Sequence, residues 1–411
     1  MTKKSLEHHS PLNFYSVEDN CLVIGKQKFT DILKKHKDVP AYIYDSSVIK
    51  RKIDSLRNVL PESMHIHYAI KANPMPEVVN YVQGLVEGLD VASGLELKVA
   101  LASGMDPKEI SFAGPGKSID ELTLAIKSGI TINLESETEL DRAAKIGEQL
   151  GITPRVALRI NPDFELKTSG MKMSGGPKQF GVDAEIASDI IRKIISYRLD
   201  FIGLHIFSGS QNLKPEALIE AQTKTFALAA ELADQSGTEF SKLNIGGGFG
   251  IPYFPGEKPL PLEPIGENLH ILLDQYADQF GNTSIITELG RFIVGESGVY
   301  LSKVIDKKIS RGSTFLIING GLHHHLAASG NFGQVIRKNY PVTVANKIGL
   351  ETERASAVGP LCTPLDVLAQ DMDLPKAEIN DYVAVFNSGA YGYTSSPLNF
   401  LSHPHPVEIF I

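Results

Sequence analysis

Short apolar runs alternate with amphipathic stretches through the middle of the chain. Eight runs have the length and apolar content of buried strands: His65–Ala69, Gly88–Ala92, Glu109–Ala113, Thr131–Leu134, Arg155–Ile160, Phe201–His205, Leu243–Ile245 and Ile285–Thr287. The stretches between them include Asp120–Lys127, Ala184–Ser196 and Glu216–Ser236. Strands that alternate with helices predict a parallel sheet, and eight such units predict a (β/α)8 TIM barrel.

The pattern changes after about residue 296. Several strand-like runs follow one another there without long helices between them: Tyr300–Ser310, Thr314–Ile318, Ala355–Val358, Tyr382–Asn387 and Val407–Ile411. We expect a mostly β C-terminal domain with which Leu22–Ile24 and Phe29–His36 pack. The predicted boundaries are 41–295 for the barrel, and 1–40 with 296–411 for the β domain.

Composition narrows the class of protein. The 411 residues are 42% hydrophobic and 21% charged, which is ordinary for a globular chain, and the net charge of −8 argues against a nucleic-acid partner. Cys21 and Cys362 are the two cysteines, too few for a disulfide framework. The N-terminus lacks the apolar core of a signal peptide, and the sequence has no long apolar span. We therefore expect a soluble, cytoplasmic protein without a membrane partner.

Unusual residues follow three of the barrel strands, at the ends where barrels carry their active sites. Lys71 follows the first strand, in Tyr68–Pro74 (YAIKANP). A loop lysine is usually solvated, but one that is partly desolvated has a lowered pKa and can attack a carbonyl. Gly246–Gly248 follow the seventh strand. They form either a flexible turn or a cradle of N–H groups that binds a phosphate. Glu288–Arg291 follow the eighth strand. Glu288 and Arg291 form either a structural ion pair or part of the same site.

Two further motifs lie in the predicted β domain. Cys362 occurs in a loop rich in glycine and proline, Gly359–Asp366. An isolated cysteine is more often a small buried apolar residue, but this loop favours a positioned thiol. Tyr391 follows a strand-like run in Gly389-Ala390-Tyr391.

Together these segments resemble the fold-type III pyridoxal-phosphate enzymes, which include alanine racemase and the ornithine and diaminopimelate decarboxylases. The resemblance extends from about Ala41 to Phe400 and is stronger to the decarboxylases than to the racemases. Its marks are YAIKANP, DVAS at Asp90–Ser93, GGGFG, Glu-x-Gly-Arg, GP-x-C and Gly-Ala-Tyr. It implies an alanine racemase-like barrel, pyridoxal 5'-phosphate as cofactor, and decarboxylation of an amino acid.

The resemblance also implies roles for individual residues. Lys71 would hold the cofactor as a Schiff base, Glu288 would contact the pyridine nitrogen, and Arg159 would lie in the barrel floor near the ring. Asp90 would be among the cofactor-binding residues. The residues around the phosphate would be Ser210, Gly247, Gly248, Gly290, Arg291 and Tyr391. Cys362 would come from the partner subunit of a homodimer with shared sites and return a proton to the substrate Cα.

Two positions depart from the family pattern. Decarboxylases of diamino substrates place an acid after the cysteine to receive the distal ammonium, and here that residue is Thr363. A buried cation without a carboxylate is costly, so a free distal amine is disfavoured, although Asp366 is retained. The ring-stacking histidine of the family aligns with Phe207. His205 has the same strand parity, so both stay candidates for the face of the cofactor ring.

A third departure is the run His323-His324-His325, where diaminopimelate decarboxylases have Asn-Asp. Neighbouring residues of a strand alternate faces, so we expect no metal site there. Four segments resemble a narrower branch of the family: the histidine run, Lys172–Gly181, Asn339–Pro341 and Cys-Thr-Pro. This branch includes the decarboxylase of butirosin biosynthesis, which acts on glutamate tethered to an acyl carrier protein. The predicted substrate residues are His323, Arg337, Tyr340, Thr363 and Asp366. The candidates for a basic patch that would receive a carrier protein are Lys172, Lys178, Arg337 and Lys338.

Three alternatives stay open from the sequence. One is a diaminopimelate decarboxylase of lysine biosynthesis, against which Thr363 and the missing Asn-Asp count. Another is a racemase or epimerase, which would exchange the Cα proton without releasing CO2. The third is a non-catalytic, cofactor-binding regulatory protein, which would require a degraded site.

Overall fold

Eight parallel strands close into a barrel in the computed structural model, which describes residues 8–36, 40–164, 171–172, 175–334 and 336–411. We number these barrel strands 1 to 8 in chain order: His65–Ala69, Gly88–Val91, Ile110–Phe112, Thr131–Leu134, Arg155–Asn161, Asp200–Ile206, Lys242–Gly247 and Ser284–Leu289. Each pairs with the next, and strand 8 pairs with strand 1 to complete the circle. The predicted barrel is confirmed, and all eight predicted runs are strands.

Helices follow the strands of the barrel. They are Pro76–Val82, Gly94–Ala102, Ile119–Ser128, Glu137–Leu150, Ala184–Ser196, Pro215–Ser236, Glu263–Gln275 and Ala277–Phe280, with 3-10 turns at Ile70–Ala72 and Pro107–Glu109, and one further helix, Ser46–Arg57, precedes strand 1. The helix Ile119–Ser128 shows how the sequence sets such bounds. Ser118 and Glu121 form a reciprocal capping box at its start, and Gly129 ends it in the left-handed conformation with φ 72°.

The chain divides into two compact units. The barrel unit comprises Lys52–Gly250 and Leu260–Phe292, and the β unit comprises Met1–Arg51, Ile251–Pro259 and Ile293–Ile411. Two small pairings accompany the barrel: Val182–Asp183 adds to strand 5, and Met171–Lys172 pairs with Gly209–Ser210. Among the described residues, no helix combines the length and the hydropathy needed to cross a bilayer.

The β unit is built on an eight-stranded sheet. Its strands are Ala41–Tyr44, Gly298–Ser310, Ser313–Ile318, Val342–Val344, Thr352–Val358, Val367–Pro375, Tyr382–Val385 and Val407–Phe410. A three-stranded sheet of Ser16–Glu18, Cys21–Ile24 and Gln27–Lys28 and the helix Phe29–His36 complete it, with short helical turns at Gly295–Ser297 and Phe400–Ser402. The helical turn Arg291–Val294 spans the boundary between the two units. The core of this unit joins the N-terminal segment to the sheet through Leu22, Phe29, Ile43, Leu301 and Ile409.

Three strands of this sheet differ from the sequence prediction. Ala41–Tyr44, predicted as the start of the barrel, pairs instead with Gly298–Leu301 and Val407–Phe410. Val342–Val344 and Val367–Pro375 were not predicted. Val367–Pro375 lacks a clean apolar-polar alternation, and Asp371, with a positive φ of 51°, interrupts the pleat in the middle of this strand.

Candidate active site

Lys71 lies at the C-terminal mouth of the barrel, in the 3-10 turn Ile70–Ala72 that follows strand 1. The turn is fixed on both sides. Tyr68 Oη donates to the Asn73 carbonyl at 2.8 Å, and Asn73 Oδ1 accepts from the Met75 amide at 3.1 Å. The Lys71 side chain is 43% exposed, and its Nζ lies 3.5 Å from Glu288 Oε1. A rigid turn thus presents a reachable amine next to a buried carboxylate.

Glu288 comes from strand 8, and its side chain is only 6% exposed. Its second oxygen, Oε2, is 3.0 Å from His205 Nε2. Burial raises the pKa of Glu288, but the charge of Lys71 and the hydrogen bond to His205 outweigh burial and hold that pKa well below its usual range. Glu288 is therefore a carboxylate in the neutral pH range, available to a cationic group at the mouth.

His205 and Phe207, both proposed for the cofactor ring, are arranged differently. His205 on strand 6 is buried and directs Nε2 to Glu288, while its Nδ1 has no hydrogen-bond partner among the described residues. Phe207 is half-buried, and Lys71 Nζ lies 5.7 Å from its ring centroid. The geometry favours Phe207 as the flat apolar surface beside the lysine, and His205 as the residue that orients Glu288.

Arg159 on strand 5 is part of a buried ion pair that the sequence analysis missed. Its NH1 lies 2.7 Å from Glu135 Oε1, and the Arg159 and Glu135 side chains are 8% and 2% exposed. Glu135 also accepts from the amides of Gly114 at 2.6 Å and Gly181 at 2.9 Å. Burial raises the pKa of Glu135, but Arg159 and these hydrogen bonds bring it below its ordinary value. Glu135 directly follows strand 4, at the end of the barrel where active sites lie, and this position could have identified it from the sequence.

A second buried charge pair lies next to this one. Lys117 Nζ bonds Glu139 at 3.1 Å and the carbonyls of Gly114 and Asn133 at 2.8 Å. Its side chain is 1% exposed. Because Lys117 binds the carbonyl of Gly114 and Glu135 binds its amide, the two pairs fix one loop from both sides.

The predicted phosphate-binding glycines lie where the ends of strands 6, 7, 8 and 1 approach closely. Gly248 has φ 84°, and a Cβ there would meet the Gly209 carbonyl. A Cβ at Gly290 would lie 2.9 Å from the Ala69 carbonyl and from Ala72 Cβ. Gly247 would meet the Glu288 backbone. No side chain fits at these three positions without displacing its neighbours, so the glycines allow the strand ends to pack closely at this part of the mouth.

The other predicted cofactor residues have these positions. Ser210 is half-buried and lies in the short pairing with Met171–Lys172, and Arg291 is the first residue after Gly290 in a helical turn. Asp90 lies inside the barrel, where its Oδ1 accepts from Ser111 Oγ at 2.5 Å and lies 3.2 Å from His67 Nδ1. Tyr391, in the β unit, is half-buried with φ 52°.

Cys362 in the β unit is exposed, and the loop that carries it is held by Asp366. Asp366 is 2% exposed. Its Oδ1 accepts from the Leu322 amide at 2.5 Å, and its Oδ2 accepts from the Leu361 amide at 2.8 Å. Burial raises the pKa of Asp366. Both oxygens are engaged with backbone, so Asp366 organises the loop, while the half-buried Thr363 beside the cysteine carries no charge.

The three histidines of the run have different hydrogen-bonding surroundings, although the rings of His323 and His324 lie against each other with centroids 3.8 Å apart. His324 lies 2.9 Å from the Pro404 carbonyl and 3.0 Å from Tyr300 Oη, and His325 lies 2.9 Å from Ser388 Oγ. His323 is fully buried without a hydrogen-bond partner among the described residues. Burial lowers the pKa of His323 to about 4 and those of His324 and His325 to about 3, so all three are neutral.

Arg337 and Tyr340, predicted as substrate residues, are held within the β unit. Arg337 donates to the carbonyls of Ser329 and Val367, and burial lowers its pKa. Tyr340 is 5% exposed, and its ring centroid lies 4.7 Å from that of Tyr253. Of the basic-patch candidates, Lys338 is exposed and Lys178 half-buried, whereas the side chain of Lys172 lies outside the described residues.

Comparison with known proteins decides the family. The model of the pyridoxal-dependent decarboxylases, pyridoxal binding domain, matches residues 46–295, more than half of the chain. The chain belongs to this family. As a member, it is an enzyme that decarboxylates an amino acid with pyridoxal phosphate, which confirms the cofactor and the reaction class predicted from the sequence.

Relatives of this decarboxylase share most of its length. It is 37% identical to the L-glutamyl-[BtrI acyl-carrier protein] decarboxylase of Niallia circulans, over 92% of this chain and 90% of that one. It is 34% identical to the diaminopimelate decarboxylase of Aquifex aeolicus, over 90% and 86%. The crystal structure of diaminopimelate decarboxylase from M. jannaschii with L-lysine superposes with a TM-score of 0.88 at 27% identity, covering 97% of this chain and 93% of that one.

The barrel mouth of this decarboxylase fits pyridoxal phosphate. An aldehyde needs a reachable amine, which Lys71 offers, and a protonated pyridine nitrogen needs a carboxylate, which the ionised Glu288 offers. The bound cofactor supplies an electron sink for the pair left when CO2 departs. The barrel unit brings Lys71, His205, Phe207 and Glu288 close together.

Proposed function

We propose that this decarboxylase acts on an amino acid whose side chain has no free terminal ammonium, with glutamate tethered to an acyl carrier protein as the leading substrate. The observation that carries the proposal is the Gly359–Asp366 loop. Its one carboxylate, Asp366, already accepts two backbone hydrogen bonds, and Thr363 is neutral. Placing an ammonium there would leave a desolvated cation without a partner, which is unfavourable.

Lys71 is the residue proposed to bind the cofactor aldehyde. Its neighbour Glu288 would hold a proton on the pyridine nitrogen, and His205 would keep Glu288 oriented through the 3.0 Å hydrogen bond. Phe207 would cover the ring face and exclude water from it. The glycine-lined backbone near Gly248 and Gly290 would receive the phosphate.

Cys362 is the proposed proton donor to the substrate Cα. Its thiol is exposed in a loop of the β unit, as needed for a residue that serves the site of a second chain. We propose a homodimer in which Cys362 of the partner subunit completes each site. The named carrier-protein substrate of the 37% identical relative supports the tethered glutamate, and the neutral His323 and Thr363 suit an uncharged side-chain end.

The test is a substrate panel scored for CO2: free glutamate, lysine, ornithine and diaminopimelate, and glutamyl thioester on a carrier protein. We expect turnover of the tethered substrate and little of the free diamino acids. The pair Thr363→Asp and Thr363→Asn sharpens the test, because only the first adds a carboxylate. Thr363→Asp should raise the relative rate on diamino acids, whereas Thr363→Asn should not. Efficient decarboxylation of free diaminopimelate by the unchanged enzyme would refute the proposal and assign it to the diaminopimelate decarboxylases.

A further inference from the structure

The opposite, N-terminal end of the barrel carries a cluster of three metal-ligating side chains that the decarboxylase site does not use. His65 is the first residue of strand 1, and His67 lies two residues on, on the same face of the strand. Glu109 ends the 3-10 turn that leads into strand 3. One donor atom from each lies within 4.8 Å of the other two, and His67 Nε2 is 4.0 Å from Glu109 Oε2.

His67 is oriented as a ligand by its second nitrogen. Its Nδ1 lies 3.2 Å from Asp90 Oδ1, the oxygen that also accepts from Ser111 Oγ. A carboxylate acceptor fixes the proton on Nδ1 and leaves the Nε2 lone pair directed at the cluster, the arrangement typical of metal-bound histidines. His67 is 2% exposed, and among the described residues its Nε2 has no hydrogen-bond partner. A side chain at Gly88 would overlap this ring, so the glycine leaves room for it.

His65 contributes a second unsatisfied nitrogen. Its side chain is half-buried, yet Nδ1 is inaccessible to water and also lacks a hydrogen-bond partner among the described residues. Buried polar atoms without partners are uncommon in folded proteins and call for an explanation such as a bound ion. Each of the three side chains brings one donor atom within 4.8 Å of the other two, so one cation bound between them would explain both unsatisfied nitrogens.

We propose that His65, His67 and Glu109 bind a divalent transition-metal ion of the Zn²⁺ class at the N-terminal end of the barrel, with water as the fourth ligand. Two imidazoles and a carboxylate are a known three-residue ligand set for zinc. Bonds of about 2.0–2.2 Å place tetrahedral ligands about 3.4 Å apart, so side-chain rotations that bring the donors together by about 1 Å complete the site. The ion would join strand 1 to the start of strand 3, and this end of a barrel serves stability rather than catalysis.

Lys242 competes with the ion for the carboxylate. Its Nζ lies 2.5 Å from Glu109 Oε2 and 3.1 Å from the Lys108 carbonyl. Because an ammonium and a metal ion repel each other and share one acceptor, removing Lys242 should tighten metal binding. A purely structural ion pair between Lys242 and Glu109 would predict no metal binding in any variant.

The experiment titrates Zn²⁺ into the full-length, cofactor-loaded protein freed of metal by a chelator, with calorimetry and the melting temperature as readouts. We expect one ion per chain at this site and a rise in melting temperature that the chelator reverses. The variants His65→Gln and Glu109→Gln preserve side-chain size at positions that are not fully buried, and each should weaken binding at least tenfold. Lys242→Gln should strengthen it.

Control variants cover the other groups that attract zinc. Cys362→Ser and His323→Gln should retain the affinity of the unchanged protein. Unchanged affinity in His65→Gln or Glu109→Gln, or loss of binding in either control, would overturn the proposal. Anomalous diffraction at the zinc edge would place the ion between His65, His67 and Glu109 if the proposal holds, and elsewhere if it does not.

Discussion

Replacing Glu135 by glutamine tests whether the buried pair with Arg159 supports the site. The change keeps the shape of the side chain but removes the negative charge beside Arg159 NH1, 2.7 Å away. It also converts one of two acceptor oxygens into a donor that faces a backbone amide, that of Gly114 or Gly181. The perturbation is therefore electrostatic and local.

The expected magnitude follows from burial. Removing one partner of a buried ion pair costs about 3–5 kcal/mol, and an unsatisfied buried N–H about 1–3 kcal/mol. Because the glutamine oxygen can still accept from Arg159, we expect the lower end, about 3 kcal/mol less free energy of unfolding. Arg159 also loses the partner that holds it in place, so affinity for pyridoxal phosphate should fall if Arg159 contacts the cofactor.

Urea unfolding of the cofactor-free protein and titration with pyridoxal phosphate measure the two effects separately. The matched control is Glu137→Gln, two residues along the chain. Glu137 is 59% exposed and pairs with Lys193 at the surface, so this change should leave both measurements within error. If Glu135→Gln and Glu137→Gln behaved alike, the reasoning from burial would be wrong.

Three further predictions concern the proposed chemistry and the response to pH. Lys71→Ala should abolish the visible absorbance of bound cofactor and all turnover, as spectra and CO2 release would show; a coloured, active variant would contradict the assignment. Cys362→Ser should keep the absorbance but lose most turnover, whereas Cys21→Ala, at a buried thiol, should lower thermal stability and spare turnover. The pKa values of Glu135 and Glu288 are lowered by folding, so their stabilisation is present above about pH 4.3 and is lost as pH falls below it. Unfolding free energies measured from pH 7 to pH 3 should therefore fall less steeply in Glu135→Gln than in the unchanged protein; parallel curves would contradict this.

Local pattern was enough to predict the barrel, but it was not enough for the β unit. His65–Ala69 and Thr131–Leu134 are strands with the predicted bounds, because short, largely buried runs set between helices are typical of a parallel sheet. Ala41–Tyr44 is equally apolar, and its membership of the β sheet depends on pairing with Gly298–Leu301 and Val407–Phe410, hundreds of residues away. No local pattern carries that information.

The same distinction applies to the candidate site. That Lys71 and Glu288 lie close together follows from strand order, since the first and last strands of a closed barrel are neighbours. The pairing of Glu135 with Arg159 depends on the register of strands 4 and 5. Without knowledge of that register, many carboxylates in the sequence are equally good candidates for the partner of Arg159. The orientation of His205 toward Glu288, rather than toward a ring face, likewise required side-chain geometry.

The double engagement of Asp366 has a consequence for redesigning this enzyme. One carboxylate fastens the amides of Leu322 and Leu361, so the backbone that bears His323 and the backbone that bears Cys362 are set by a single residue. Insertions or grafts in either loop would shift the other. Transplanting the specificity of a relative into this chain should therefore exchange both loops and Asp366 as one block.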